Sequence, residues 1–445
     1  MPMYSSMCSR VLLPLGDLLA RQRVMRYLDY YQRSQYWPRE RLLEEMDRSL
    51  RETVAIAYQE VPFYRDLYNR HRVSPSDVRG VSDLPKLPVV SKVMLREAFP
   101  DGCTRRTPHV WDDYSTSGST GRPFIVRVDD DTMSRARALM LLRTMFAGWR
   151  PGVPTLQTGM ATERGTLKWL KDRLMRVTYV SAFDLSDSVL DRYLELIETR
   201  GLRFVTGYAQ SVYLLAKRAR DIGFNRQLDG VVSWGSNMFR HYRREIEEAF
   251  GCRVYDSYGV GEGMQVSAQC GVDDETYHQF CLHVVAEYCR EGEPVKAGEL
   301  GEILLTRLDP GAMPLIRYTI GDVGRGSAQR ACPCGRTLPL MSSIDGRTSD
   351  IVVTPRGNRL IVEFFFGIFQ YANMIDNFQV IQEKPDSIHV KIVVLPEFEA
   401  SHWQIVRDQI LERGDPDLSI TMEIVEEIPL EPSRKRRFVR SSVGF

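Results

Sequence analysis

The chain has 445 residues, of which 43% are hydrophobic and 26% charged, with a formal net charge of +1. This is the composition expected of a globular protein long enough for two domains, and the near-neutral balance gives no argument for nucleic acid as a partner. No stretch approaches the roughly 18 apolar residues of a membrane span, and the eight cysteines are too unevenly spread for a disulfide framework.

Near the N-terminus, Val11-Leu12-Leu13-Pro14-Leu15 is followed by Asp17 and a basic, aromatic continuation, which does not suit a signal peptide. Residues 10–30 read as a helix packed on its own domain, with an interfacial helix as the alternative, and a cytoplasmic location is expected. Leu43, Met46, Leu50, Val54 and Ala57 recur at three- and four-residue steps, which predicts a helix over residues 36–60. It should end at Val61-Pro62-Phe63-Tyr64, because proline disfavours helical backbone in the residue before it. Ser74-Pro75-Ser76-Asp77 and Leu84-Pro85-Lys86-Leu87-Pro88 then punctuate a connector that leads to Ser91-Lys92. Residues 1–100 thus read as a helical cap.

The stretch Ser115-Thr116-Ser117-Gly118-Ser119-Thr120-Gly121-Arg122-Pro123 sets two glycines among five hydroxyl residues, and the strand-like Phe124-Ile125-Val126 follows. Glycine permits close backbone approach, so successive N–H groups can turn inward to form an anion nest, with hydroxyls as further donors. The alternative is a plain turn between two strands. No lysine follows either glycine, so this is not a Walker A loop, and the glycine spacing is not that of a dinucleotide fold.

Residues 131–147 are helical in composition. Short apolar runs then alternate with amphipathic helices: Asp187–Thr199, Phe204–Tyr208, Val212–Ala219, Gly230–Gly235, residues 239–250 and Val254–Ser257. Such alternation predicts an α/β fold with a mostly parallel sheet flanked by helices, and ligands bind at the carboxyl ends of such strands. The candidates there are Tyr208, the Gly235-Ser236-Asn237 turn, and a turn from Tyr258-Gly259 to Glu262. From about Gly346 the character changes. A strand at Ile351–Val353, alternation at Ile388, Val390, Ile392 and Val394, a helix around Trp403, Val406 and Ile410, and alternation from Leu418 to Ile424 predict a small α+β domain. The expected division is 1–346, with residues 101–346 as its core, and 347–445.

Glu262 in a glycine-flexed loop is either solvated surface or an oxygen ligand for Mg²⁺, which prefers one or two carboxylates plus phosphate oxygens. Asp322, beside Gly321, either satisfies its own turn or accepts the two hydroxyls of a ribose. Lys435, in the basic run Arg434–Arg437, either lies at a solvated terminus or brings a mobile charge to a developing pyrophosphate, with Arg436 and Arg437 as rivals. Cys332-Pro333-Cys334 is a zinc-type knuckle. Cys270 and His278 could complete a Cys₃His site, with Cys281 and His283 as rivals to His278 and reduced buried cysteines as the alternative.

Several of these blocks resemble those of the adenylate-forming enzymes. Thr116–Pro123 matches the phosphate loop Ser/Thr-Ser-Gly-Ser/Thr-Thr-Gly-x-Pro, Tyr258–Glu262 the block Tyr-Gly-x-Thr-Glu with Gly261 in place of Thr, and Arg317–Asp322 the block Arg-Tyr-x-x-Gly-Asp. Gly346–Asp350 matches Gly-Arg-x-Asp-Asp with Ser349 at the hinge carboxylate, and Arg434-Lys435 stands for a terminal Gly-Lys. In detail the chain resembles the phenylacetate–coenzyme A ligase family, and more narrowly its capsular-polysaccharide-biosynthesis branch, through Ala57–Tyr64, Leu84–Lys92 and the Cys/His/Cys-Pro-Cys set.

The resemblance implies a large AMP-binding domain with a C-terminal lid. It also implies ATP-dependent activation of a small carboxylic acid, with transfer of the acyl group to coenzyme A. Catalytic roles would fall to Lys435, Glu262 and Thr120. Nucleotide contacts would come from Ser117, Gly118, Ser119, Thr120, Gly121, Gly235, Ser236, Tyr258, Gly259, Asp322 and Arg347. Cofactors would be Mg²⁺ on Glu262 and structural Zn²⁺ on Cys270, His278, Cys332 and Cys334. An amine or hydroxyl acceptor and a catalytically lapsed nucleotide binder are the other readings, and a homodimer is one option for assembly.

Overall fold

The computed structural model describes residues 2–106, 110–116, 124–159, 165–182, 185–329, 331–369, 372, 374–429, 431 and 437–443. The chain divides into a larger unit, Met1–Glu299 with Leu304–Ile320 and Arg325–Ser343, and a smaller one, Leu300–Ile303 with Gly321–Gly324 and Ile344–Phe445.

In the larger unit, the periodic N-terminal segment forms helix α1, Arg39–Glu60, which buries Leu42, Met46, Leu50, Val54 and Ala57. The break at Val61 falls as expected, but Pro62 opens another helix, α2, Pro62–Arg70. Proline suits a first helical position, since its missing N–H would be unpaired there in any case. Residues 10–30 form two pieces rather than one helix, Leu13–Leu19 and Val24–Ser34. The break is at Arg21, which has a φ of 53°.

Strands β1, Val110–Thr116, and β2, Phe124–Asp129, form an antiparallel hairpin whose last pair is Thr116 with Phe124. Residues 117–123, the glycine-rich loop itself, lie outside the described residues. Helix α3, Asp130–Phe146, follows at once, with the Asp129 carboxylate accepting from the Thr132 N–H at 2.8 Å. Asp130 and Asp131 in its first turn and Arg143 in its last complement the helix dipole.

Five parallel strands come next: β3, Thr155–Gly159; β4, Val177–Ser181; β5, Phe204–Tyr208; β6, Gly230–Trp234; and β7, Val254–Val260. They lie in the order β4-β3-β5-β6-β7. One face packs Leu194, Ile197, Val212, Leu215, Ile246 and Phe250 against Val205, Val231 and Val254, while Ala147 and Trp149 pack with Phe204 and Val232 in a separate cluster. Burial on both sides is why these strands read as continuous apolar runs.

Beyond β7 the sheet turns antiparallel. Strand β8, Met264–Ala268, pairs with β7, and β9, Tyr277–Gln279, pairs with β8 and with the strand Leu340–Arg347. The parallel character inferred from the sequence therefore covers β3 to β7 and stops there.

The smaller unit contains a four-stranded sheet in the order Ser419–Ile424, Ser387–Val394, Ile375–Lys384, Val439–Ser441. Helix Ala400–Arg413 buries Val406 and Ile410. A short helix, Val362–Phe369, was not legible in the sequence. In it Phe369 stacks on Phe378, with centroids 4.0 Å apart, and Phe366 packs on Phe438 at 4.6 Å. Among the described residues, no helix is long and apolar enough to cross a membrane.

Candidate active site and metal centre

Glu262 is the centre of a buried cluster in the larger unit. Strand β7 runs on through Tyr258 and Gly259, which the sequence had suggested as a turn, because β8 supplies ladder partners: Tyr258 faces Ser267 and Gly259 faces Gln265. The turn comes later, at Gly261–Gly263. Gly263 has a φ of 83° and closes the turn with its N–H on the Val260 carbonyl at 3.1 Å. This leaves Glu262 only 3% exposed.

Glu262 Oε1 accepts a hydrogen bond from the Tyr318 hydroxyl at 2.9 Å and lies 3.3 Å from Lys92 Nζ. No hydrogen bond engages Oε2 among the described residues. Burial, and then the Glu262 charge, push the Tyr318 hydroxyl far above its usual range, so it stays a donor.

Both partners are held by the connector and the cap. Val90 and Ser91 form a short parallel strand on Tyr318 and Thr319, and Ser91 Oγ caps the following helix, accepting from the Met94 N–H at 3.3 Å. The hydroxyl of Tyr64, at the end of the Ala57–Tyr64 signature, donates to the Pro314 carbonyl at 2.9 Å and accepts from the Ile316 N–H at 3.2 Å. Lys92 Nζ lies 5.5 Å from the centre of the Phe124 ring, which stacks on Tyr318 at 6.1 Å. Phe124 opens β2, directly after the glycine-rich loop. The carboxylate proposed for Mg²⁺ therefore shares one packed cluster with Phe124, the first described residue after the loop.

Sequence reasoning missed two members of this cluster. Lys92 ended a connector with no role attached, and Tyr318 was only a motif letter. Arg317 beside it is structural: 2% exposed, it donates to the Leu87 and Gly292 carbonyls and pairs with Glu287 at 3.1 Å.

Tyr208, Gly235-Ser236 and Tyr258-Gly259 stand at the carboxyl ends of the adjacent strands β5, β6 and β7. Gly235 has a φ of 74°, and a Cβ there would lie 2.6 Å from Tyr208 Cε1, so the turn needs glycine on both counts.

In the smaller unit, Asp322 Oδ1 lies 3.5 Å from Arg347 Nε. Arg437 donates to Asp350 at 2.7 Å and to the Ser349 carbonyl at 3.0 Å, so this rival to Lys435 is already engaged. Lys435, Ser117, Gly118, Ser119, Thr120 and Gly121 lie outside the described residues.

The third group is a metal-type cluster. One ligand atom each from Cys270, His278, Cys332 and Cys334 lies within 4.8 Å of all the others. Cys270 Sγ and Cys332 Sγ are 3.6 Å apart, and His278 Nε2 is 3.3 Å from Cys334 Sγ. A tetrahedral ion bound at about 2.3 Å to sulfur spaces its ligands at just under about 4 Å, so the set fits zinc. The Cys-Pro-Cys knuckle closes through the Gly335 N–H on the Cys332 carbonyl at 3.2 Å, and Gly335 has a φ of 80°. Burial, with Arg336 adding to it, lowers His278 to about 4, which keeps the imidazole neutral, as a ligand must be. Cys281 and His283 are buried elsewhere, with His283 Nδ1 3.7 Å from Asp309.

The comparisons agree with this architecture. A family model described as the CapK C-terminal domain matches residues 352–442. Phenylacetate–coenzyme A ligase of Thermus thermophilus is 26% identical over 394 residues, covering 84% of this chain and 86% of that one. The enzyme of the same name from Escherichia coli is 25% identical, over 77% and 80%. Protein CapK of Staphylococcus aureus is 19% identical, over 86% and 85%. Among solved structures, 2-hydroxyisobutyryl-CoA ligase in its postadenylation state superposes with a TM-score of 0.73 at 20% identity, covering 92% of both chains. The fold is thus that of the adenylate-forming CoA ligases. Within them, the chain is similar to the phenylacetate–CoA ligases and to protein CapK.

Proposed function

We propose that the chain activates a small carboxylic acid with ATP and passes the acyl group to coenzyme A. In the first half-reaction a carboxylate oxygen bonds to the α-phosphorus of ATP and pyrophosphate leaves. In the second, the thiol of coenzyme A attacks the acyl carbon and AMP leaves. The observation that carries this reading is Glu262. A carboxylate 3% exposed, fixed by Tyr318 and Lys92 through one oxygen, leaves its other oxygen for a cation beside the glycine-rich loop.

Mg²⁺ held there would offset negative charge on the phosphates. Lys92 supplies a second positive charge in the same cluster. The loop from Ser117 to Gly121, with Thr120, would cradle phosphate. Tyr258-Gly259 and Gly235-Ser236 would border the base, and Asp322 with Arg347 would hold the ribose. Residues from 347 onward would act as the lid that brings Lys435 to the first half-reaction. The Cys₃His set would hold a closed, structural zinc. A cytoplasmic location fits a supply of ATP and coenzyme A. The names of the relatives support a coenzyme A acceptor.

The match to a CapK C-terminal domain at 352–442 favours one second reading, in which an amine or hydroxyl takes the acyl group. Product analysis separates the two. The first reading expects AMP formation that depends on both an acid and coenzyme A, with a thioester as product. AMP formation with an amino or hydroxyl acceptor and no thiol would replace it by the second.

A further inference from the structure

Helix α3 ends on a buried cation that the fold leaves partly unanswered. Arg143 is 5% exposed, and its guanidinium carbon lies 4.7 Å from the centre of the Trp234 ring. Nη1 donates to Gln265 Oε1 at 2.9 Å, while the buried Nε has no partner among the described residues. No ion pair joins Arg143 to a carboxylate among the described residues. Asp256 acts on it through space, but that carboxylate already accepts from the hydroxyls of Ser233 and of Tyr277, the latter at 2.8 Å. Burial lowers Arg143 to about 10, so it remains charged at neutral pH. A buried guanidinium is costly unless an anion answers it.

Its position gives that cation a use. Trp234 is the last residue of β6 and leads into Gly235-Ser236, where Ser236 Oγ is also buried without a partner among the described residues. Gln265 stands on β8 opposite Gly259, and a Cβ on Gly259 would come within 3.3 Å of Gln265 Oε1. Arg143 therefore touches residues next to both segments proposed to border the adenylate, the Gly235-Ser236 turn and the Tyr258-Gly259 end of β7, at the edge of the sheet where ligands bind.

We infer that Arg143 binds a second anionic group on the acid substrate, so that the substrate class is a carboxylic acid carrying a further carboxylate or phosphate group. This rests on the ligase reading and deepens it. The second anion is not consumed; only the reacting carboxylate forms its bond to phosphorus as pyrophosphate leaves. A planar fork with free donors suits bidentate recognition of either anion.

Calorimetry of the full chain tests the inference without turnover, using C4–C6 dicarboxylates, the same acids amidated at one end, phosphonocarboxylic acids of matched length, and phenylacetate. The dianionic acids should bind on the order of 10²-fold more tightly than their half-amides, and the phosphonate arm identifies which anion is preferred. R143Q should shrink that ratio while ATP affinity is kept, and R143K should restore part of it. Preference of the unaltered protein for half-amides or phenylacetate overturns the inference, as does a failure of every dianionic acid to bind. An R143Q variant that lowers the melting temperature and weakens all acids equally makes Arg143 a structural tie to Gln265, and also overturns it. Dianion binding through Arg143 without any release of pyrophosphate would sink the ligase reading and leave the anion site standing.

Discussion

At Glu262, two side chains far apart in sequence meet at one carboxylate oxygen, and they and the local backbone each contribute something different. Lys92 gives charge, Tyr318 gives a donor that burial keeps protonated, and the turn at Gly261–Gly263 sets the carboxylate's position. Replacing Glu262 by Gln keeps the shape and removes the charge that would hold Mg²⁺. Adenylation should slow by on the order of 10²–10³, while Tyr318→Phe, which loses a single hydrogen bond, should cost less than tenfold. Acid-dependent ATP–pyrophosphate exchange checks both, and equal losses in the two variants would mean that Glu262 acts only through its packing.

A second residue-scale prediction concerns His283, which is fully buried and held near about 4 by that burial. In the unfolded chain it takes a proton below about 6.5, so between those values the unfolded state binds more protons and stability falls as pH falls. Comparing pH 7 with pH 5, the native chain should lose on the order of 2 kcal/mol more than a His283→Leu variant in urea unfolding. A loss as large in the variant would move the cause to another group. The sequence named Glu262 because glycines flank it, but gave no sign of Lys92 or Arg143, since what recruits them is tertiary contact with residues far along the chain.

Among the elements, β9 shows how register decides a question that spacing left open. His278 pairs with Ala268 on one side and Leu340 on the other, and this alignment carries its ring to Cys270 and the 332–334 knuckle while His283 goes to Asp309. Elemental analysis should find one zinc per chain. A Cys332→Ser change or strong chelation should lower the melting temperature before it alters the affinity for ATP, because a closed site contributes to folding and touches no substrate. Loss of ATP binding at full stability would argue for a catalytic metal.

The strand–helix alternation from β3 to β7 was readable because both faces of those strands are buried. The onward run of β7 through Tyr258-Gly259 was not, since glycine suggests a turn until a neighbouring ladder is known. Helix Val362–Phe369 was hidden for a related reason: its phenylalanines pack within the smaller unit and show no polar face.

For the whole molecule, the sequence pattern put a single boundary near Gly346, whereas the smaller unit is discontinuous. The shares of Leu300–Ile303 and Gly321–Gly324 in the smaller unit were not legible, because a strand read from its own pattern carries no mark of which core it joins. Leu300 and Val323 pack with Ile351 there, and Asp322 therefore belongs to the same unit as Arg347. If that unit serves as the lid, Lys435→Ala should slow adenylation by on the order of 10²–10³ and leave thioester formation from supplied acyl adenylate nearly unchanged. Equal slowing of both half-reactions would remove Lys435 from the proposed role and return Arg436 as its rival.

The central claim is that this chain makes an acyl adenylate before any acceptor arrives. Exchange of labelled pyrophosphate into ATP, measured without coenzyme A or amine across a panel of carboxylic acids, tests that step alone. Exchange that needs both Mg²⁺ and one class of acid, and that is lost with Glu262→Gln, is the predicted result. Hydrolysis of ATP to ADP and phosphate, or no exchange with any acid despite tight ATP binding, would contradict it.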